Sequence, residues 1–441
     1  MTEIKFQEKY VKEETNHSFN SLRNIILISC AAFIWSIYLS IQGQFLNDYI
    51  ADMSNYTPLK ISLMISLVAL TGAFASIIFG AISDNLRIRF GRRKVFIIIG
   101  GVLSAAFFFI LPLQSAIASI IAINVIMSLF NNAAFVCNNS FIPDSTPKKK
   151  LGKVNAYAAL GTSFGTVVGF ALMMIQSSNT LFFVTGVICT VGFLVVGLFI
   201  QEREEKSPPK NWFGDIKETF RPSNLKNEKG FFYFLISHFL LHTGINVYVP
   251  FLLIFLTQQN NPVSGELIGL GLSIAKGEVL IVFAVMTFVS LIATIPIGIF
   301  TDRIDTGIFL LISRVIFAAA TALIALTPLI RKINPLVVGI LFIIPYSIAN
   351  TADIVSRGAL MHKLAPKEKR GQFLGLTVFV KILAQIPGVI IGGLLAQFLQ
   401  SGYQLAFVIG GVIVISSIPF ISNAKIKTPI LQEKTELSVT N

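Results

Sequence analysis

Twelve apolar stretches, each long enough to cross a bilayer, restrict the fold of this chain more than any other feature it has. A helix crossing the hydrocarbon core needs about 20 mostly apolar residues, because within lipid every backbone N–H and C=O must be satisfied inside the segment. Stretches meeting that rule fall near 25–47, 60–83, 95–113, 117–142, 152–175, 181–200, 231–257, 279–300, 308–328, 335–361, 371–395 and 402–422. The chain is 54% hydrophobic and 13% charged, whereas a soluble chain carries about 25% charged residues. This is the composition of a polytopic membrane protein. The first 23 residues mix both signs without an apolar run and read as a soluble tail, not a signal peptide. Cys30, Cys137 and Cys189 all fall inside apolar runs without metal-type spacing, so buried thiols are the reading for them.

The loops set the orientation. With both ends of the chain inside, 28 Lys and Arg residues fall in inside segments, against four outside (Lys60, Lys276, Arg331 and Lys332) and three within spans. Inside loops carry that excess in membrane proteins. The expected organisation is a cytoplasmic tail (1–24), a six-helix bundle (25–200), a cytoplasmic linker with seven basic residues (201–230), a second six-helix bundle (231–422) and a cytoplasmic tail (423–441). The basic stretch at 80–94, GAISDNLRIRFGRRK, then faces the anionic headgroups of the inner leaflet of the cell membrane. Nucleic acid is excluded as a partner, since the basic residues are spread over a membrane face with no recognition fold among them.

The two halves repeat one another. TPKKKLGKVNAY after span four aligns with APKEKRGQFLGL after span ten, pairing Pro147 with Pro366, Lys148 with Lys367, Lys150 with Lys369 and Gly152 with Gly371. Gly80 and Asp84 after span two likewise have counterparts in Gly298 and Asp302. The fold class is therefore expected to be all-α, with twelve transmembrane helices in two pseudo-symmetric halves and a binding region between them near the midplane. Gly80, Asp84, Gly91, Arg92, Arg93 and Lys94 together resemble the signature of the major facilitator superfamily, and the resemblance covers about residues 24–422. The extra basic residues between Asp84 and Gly91, and the stretch FIPDSTPKKKLGKVNAYAALGTSFGTVVG, resemble the glycoside–pentoside–hexuronide and sucrose-transporter-like branch. The superfamily resemblance implies a secondary transporter, a functional monomer, and a cavity lined by spans one, four, seven and ten. It also implies a latch at the cytoplasmic side, with Asp84, Arg92 and Asp302 as gating residues. Spans two and four lack the acidic residues of sodium-coupled members of that branch, which favours a proton as the coupling ion.

Intramembrane polar residues are costly and mark pathways. Span four carries Asn124, Asn131, Asn132, Asn138 and Asn139; span seven carries His238, His242 and Asn246; span ten carries Asn350, Asp353 and Arg357. His238, His242 and Asn246 share one helix face, which Gly244 and Pro250 can loosen, and a histidine there suits a coupling proton. Lys381 lies about 16 Å into span eleven, too deep to snorkel, with Gln385 one turn beyond it. Asp353, the acidic residue deepest in any span, can pair with Arg357 one turn away or with Lys381. Arg314, nearer a span end, is expected to snorkel to the cytoplasmic face. Trp35, Tyr38, Gln42 and Gln44 on span one can stack on and hydrogen-bond a sugar ring, with amide contacts from Asn131 and Asn132; core packing of Trp35 and Tyr38 is the alternative.

Two motifs mislead. GTSFG at 161–165 matches a hydrolase elbow but lies within span five, where Gly161, Gly165 and Gly169 form a helix-packing surface. NYT at Asn55 is a glycosylation sequon in an outside loop. Neither an enzyme nor a cofactor is implied, and no nucleotide-binding loop supports ATP-driven transport. The expected function is proton-coupled movement of a small polar solute, a sugar or glycoside, by alternating access. The competitors are a drug or metabolite efflux antiporter of the same fold, which 39 Phe residues would suit, and a non-transporting membrane receptor.

Overall fold

The structure is a computed structural model describing residues 22–86, 88, 90–145, 151–175, 177–201, 228–257, 272–330, 333–364, 370–399 and 402–426. Residues 1–21, most of the linker, the tail beyond 426, Arg87, Arg89 and the repeat residues Pro147, Lys148, Lys150, Pro366, Lys367 and Lys369 lie outside these, as do the side chains of Asp84, Gly152, Asp302 and Gly371. The described residues form helices and no strand. In the N-terminal half these are α1 (Leu22–Ser40, continued through a π turn at Ile41–Phe45 by Leu46–Ala51), α2 (Pro58–Asn85), α3 (Lys94–Ala106), α4 (Ile117–Ser145), α5 (Leu151–Leu172) and α6 (Ser178–Phe199). The C-terminal half repeats the set as α7 (Lys229–Tyr248, then a tight turn at Val249–Phe251 and Leu252–Thr257), α8 (Lys276–Arg303), α9 (Thr306–Ile324) and α10 (Pro335–Leu364). It ends with α11 (Arg370–Leu383 and Gln385–Phe398) and α12 (Gly402–Ser416 and Ile418–Ile426). Eleven of these rods contain long apolar windows, and α5 contributes a shorter one at Tyr157–Leu172.

Between helices in lipid there is no hydrophobic drive, so close packing depends on small residues. On α5, a Cβ added at Gly161 would strike the Ser29 carbonyl of α1, one at Gly165 the Phe33 carbonyl, and one at Gly169 the Ser40 side chain. The three glycines are the packing surface that their spacing predicts. The C-terminal half repeats the device, with Gly388 and Gly392 of α11 against the Thr243 and Val247 carbonyls of α7. Because Phe33 backbone is what a methyl group at 165 would meet, Gly165→Ala is expected to destabilise the protein by about 1–3 kcal/mol through overpacking. The thermal unfolding midpoint in detergent checks this.

Helix breaks fall where the chain lacks a backbone donor or a side chain. Pro250 has no N–H for an i−4 bond, and α7 tightens around it at Val249–Phe251. Gly244, by contrast, stays helical and packs against the Gly410 backbone of α12. In α11, Pro387 leaves the Leu383 carbonyl without an i+4 donor, and the helix interrupts at Ala384, one turn beyond Lys381. The π turn in α1 surrounds Gly43.

Both halves begin at one end of the bundle, here called the tail end, and their described contacts with each other gather at the opposite, far end. Asn47 of α1 donates through Nδ2 to the Gly43 carbonyl at 2.9 Å and to the Pro250 carbonyl at 3.1 Å, tying the π turn of α1 to the turn in α7. Ser62 of α2 donates to the Val389 carbonyl of α11 at 2.8 Å. The Tyr56 and Tyr403 hydroxyls lie 2.7 Å apart. Phe170 of α5 stacks on Phe283 of α8, with centroids 4.1 Å apart and planes 9° from parallel. At the tail end, Arg23 and Lys94 bond the Phe199 and Leu198 carbonyls of α6, and Lys363 bonds Thr306, each within one half.

Candidate functional site

A charged cluster occupies mid-depth in the C-terminal half, built from α7, α9, α10, α11 and α12. Its anchor is Arg314. The expectation that this residue snorkels to the surface is overturned: its side chain is fully buried and its Nε donates to Asp353 Oδ1 at 2.9 Å. Its Nη1 donates to Ser417 Oγ of α12 at 2.6 Å and to Ser237 Oγ of α7. One guanidinium thus ties four helices together. The signal for this lies in the helical period: Leu310, Arg314, Phe317, Thr321 and Ile324 form a buried stripe, while Ile308, Ile312, Val315 and Ile316 are exposed. Depth from the span end argued for snorkelling, but the face on which Arg314 sits forbids it.

Asp353 is 3% exposed and shared. Its Oδ2 lies 3.2 Å from Arg357 Nε, one helical turn away, so both oxygens carry a guanidinium. The local Asp353–Arg357 pair therefore forms, and a Lys381–Asp353 pair does not form among the described residues. Arg357 reaches from Asp353 to α7, where its Nη1 lies 2.6 Å from His242 Nε2 and 3.4 Å from His238 Nδ1. The rings of His238 and His242 meet edge to face at 4.5 Å, which realises the shared helix face expected of that spacing. An arginine N–H can only donate, so the His242 contact requires a lone pair on Nε2. Lys381 has space around its side chain and yet lies deep within the protein, near enough to Arg357, His238 and His242 for the charges to act on one another. An exposed side chain in range of these charges lies on the side of α11 that faces the cluster.

The N-terminal half offers amides instead of charge. Asn124, Asn131 and Asn138 recur every seventh residue along α4 and are all buried. Gln42 donates to Asn124 Oδ1 at 2.7 Å, tying α1 to α4. Asn132 turns back to the Ser128 carbonyl at 2.9 Å. The two span-one aromatics proposed as a sugar platform are packed away. Trp35, 5% exposed, lies against Phe135 and Phe193, and fully buried Tyr38 lies against Phe108. Of the other candidate residues, Asn246, Asn350 and Gln385 are half-buried, and Asn246 donates to the His242 carbonyl at 2.7 Å. Arg92 is half-buried at the tail end, and its expected partner Asp84 has its side chain outside the described residues.

A sequence profile described as the Major Facilitator Superfamily matches residues 25–264 and 234–437. The chain belongs to the Major Facilitator Superfamily. It is a transporter of that superfamily and not an enzyme. It is similar, at 25% identity over 400 residues, to an uncharacterized MFS-type transporter of Methanocaldococcus jannaschii, covering 87% of this chain and 93% of the relative. Solved members of the superfamily share its fold at much lower identity. A point mutant of the nucleoside transporter NupG superposes with a TM-score of 0.75 at 13% identity, over 91% of this chain and 99% of its own. A D-xylose-proton symporter gives 0.65 at 12% identity, over 90% and 96%. A human organic anion transporter gives 0.62 at 14%, over 92% and 100%.

Proposed function

We propose that this superfamily member is a secondary active transporter that moves a small polar solute by alternating access, with the Arg314–Asp353–Arg357–His242 cluster and Lys381 as its binding and coupling centre. The observation that carries this is a charged network at mid-depth with a lysine facing open space. Structure alone does not require such a network, since charge inside a bilayer is costly unless used. The excess of Lys and Arg in the loops at the tail end supports a cytoplasmic tail end, and on this reading the membrane is the cell membrane. With that orientation, a sealed far end means that this arrangement is not the outward-open one. A sugar or glycoside is supported by the likeness to a D-xylose-proton symporter and by the amides of α4, Asn246, Asn350 and Gln385. The burial of Trp35 and Tyr38 removes the stacking platform from that reading. Efflux is the second reading, favoured by the likeness to an organic anion transporter.

Proton coupling follows from competition at His242. A proton on Nε2 removes the lone pair that accepts from Arg357 and adds a positive charge facing Arg357, His238, Lys381 and Arg314, with only Asp353 opposing it. Protonation and the Arg357 contact therefore exclude each other, and the freed Arg357 is a two-state element of the kind transport needs. Uptake of radiolabelled sugars into proteoliposomes, driven by an imposed pH gradient, tests both parts. Accumulation is expected to collapse with the gradient, and His242→Gln is expected to abolish gradient-driven accumulation while sparing exchange. Accumulation indifferent to the gradient would remove the proton from the mechanism.

A further inference from the structure

We propose that the transported solute carries a carboxylate, held between Arg357 and Lys381. The inference rests on the transport reading above and names the charge of the solute at that same site. Three cations, Arg314, Arg357 and Lys381, share the cluster with one carboxylate, Asp353. The described residues of α7, α9, α10, α11 and α12 contain no other acidic side chain. With both histidines neutral, the cluster therefore holds an excess of two positive charges far from either membrane surface.

Asp353 cannot absorb that excess, because each of its oxygens already lies against a guanidinium. Arg314 is wholly enclosed, with its Nε on Asp353 and its Nη1 on two serines, and its Nη2, without a partner among the described residues, has no surface that a solute could reach. The excess resides on the two groups with room around them. Arg357 is 13% exposed and spends its Nε on Asp353 and its Nη1 on the histidines. Its Nη2 and the Lys381 Nζ take no acceptor among the described residues. A guanidinium edge and a nearby ammonium make a receptor for a carboxylate, whose two oxygens match two N–H directions at short, charge-assisted distances. A neutral sugar hydroxyl would leave the excess charge unbalanced. A buried cluster without its anion is electrostatically strained, and an arriving carboxylate relieves that strain.

The test uses the full chain in detergent and chloride-free buffer at fixed pH. Its thermal unfolding midpoint is followed with carboxylates and their amides as matched pairs: lactate and lactamide, succinate and succinamide, glucuronate and glucuronamide. Inorganic phosphate is a separate arm. At least one carboxylate is expected to raise the midpoint while its amide does not, since a ligand that binds only the folded state stabilises it by mass action. Lys381→Gln is expected to weaken that carboxylate about thirtyfold or more. The same variant should raise the midpoint of the ligand-free protein, because it removes one of the crowded cations. A merely structural lysine would lower it.

Carboxylates and amides acting alike, or a shift with phosphate alone, would overturn the proposal, as would a less stable ligand-free Lys381→Gln. Thiol labelling at the far end separates this failure from that of the transport reading. If the far end opens while no carboxylate binds, the charge assignment fails by itself. If the far end never opens, alternating access fails whatever the midpoints do.

Discussion

Asp353→Asn is expected to lower the thermal unfolding midpoint more than any other single substitution in the charged cluster, and to abolish transport. Arg314 has no exposed side-chain surface and has Asp353 as its one counter-charge. Removing one partner of a buried ion pair leaves the other charged and enclosed, at a cost of about 3–5 kcal/mol. Here the loss is double, because Arg357 uses the second oxygen of the same carboxylate. An asparagine keeps the shape and one acceptor but no charge. The cluster would then hold three cations and no anion. The double variant Asp353→Asn with Arg314→Met is expected to be more stable than Asp353→Asn alone, since it removes the stranded charge together with its partner. That ordering is the discriminating result. Additive losses would mean that Arg314 finds another acceptor when Asp353 is neutral, and would deny Asp353 its place at the centre of the network.

How much of this was legible from the residues depends on whether the deciding information was local. The apolar spans and the packing role of Gly161, Gly165 and Gly169 are readable, because apolar length and i, i+4 spacing are properties of one segment. So are the paired histidines of α7 and the Asp353–Arg357 turn, which lie on single helices. Arg314 differs from its expectation because its depth along the span points to snorkelling while its helix face, in the buried stripe Leu310–Arg314–Phe317–Thr321, points inward. Trp35 and Tyr38 were ambiguous for a deeper reason. Whether an aromatic on α1 faces a solute or α4 and α6 depends on the rotation of the helix, and Gly161 and Gly165 of the partner helix α5 help to set that rotation. Asn47 gave no sequence signal. Its role depends on two helix breaks, 203 residues apart in sequence at their hydrogen bond, meeting at the far end.

That seal is where a small change should have the largest effect on conformation. A Cβ added at Gly393 of α11 would strike Ser62 of α2, whose hydroxyl already donates to Val389 at 2.8 Å. Gly393→Ala is therefore a wedge between the halves at the point where they are closed. Overpacking of this kind costs about 1–3 kcal/mol, and because the Ser62 Cβ and the Pro58 carbonyl lie behind the hydroxyl, parting α2 from α11 is expected to relieve it. The seal includes the Asn47–Pro250, Ser62–Val389, Leu59–Gln397 and Tyr56–Tyr403 hydrogen bonds and the Phe170–Phe283 stack. Each is worth about 1 kcal/mol, so the wedge is comparable with the sum of two or three of them. The states of such a two-state protein differ by a few kcal/mol. A penalty of about 1.4 kcal/mol on the closed state shifts the balance tenfold. The check is Ile254→Cys, a position 6% exposed within the inter-half packing, in a background without Cys30, Cys137 and Cys189. Its labelling by a membrane-impermeant thiol reagent is expected to quicken about tenfold when Gly393→Ala is added. Asn47→Ala should act in the same direction and less strongly, since it removes one hydrogen bond without adding a clash. Unchanged labelling with a lowered unfolding midpoint would mean that the strain is taken up inside α11. In that case the far end would be a rigid floor and not a gate.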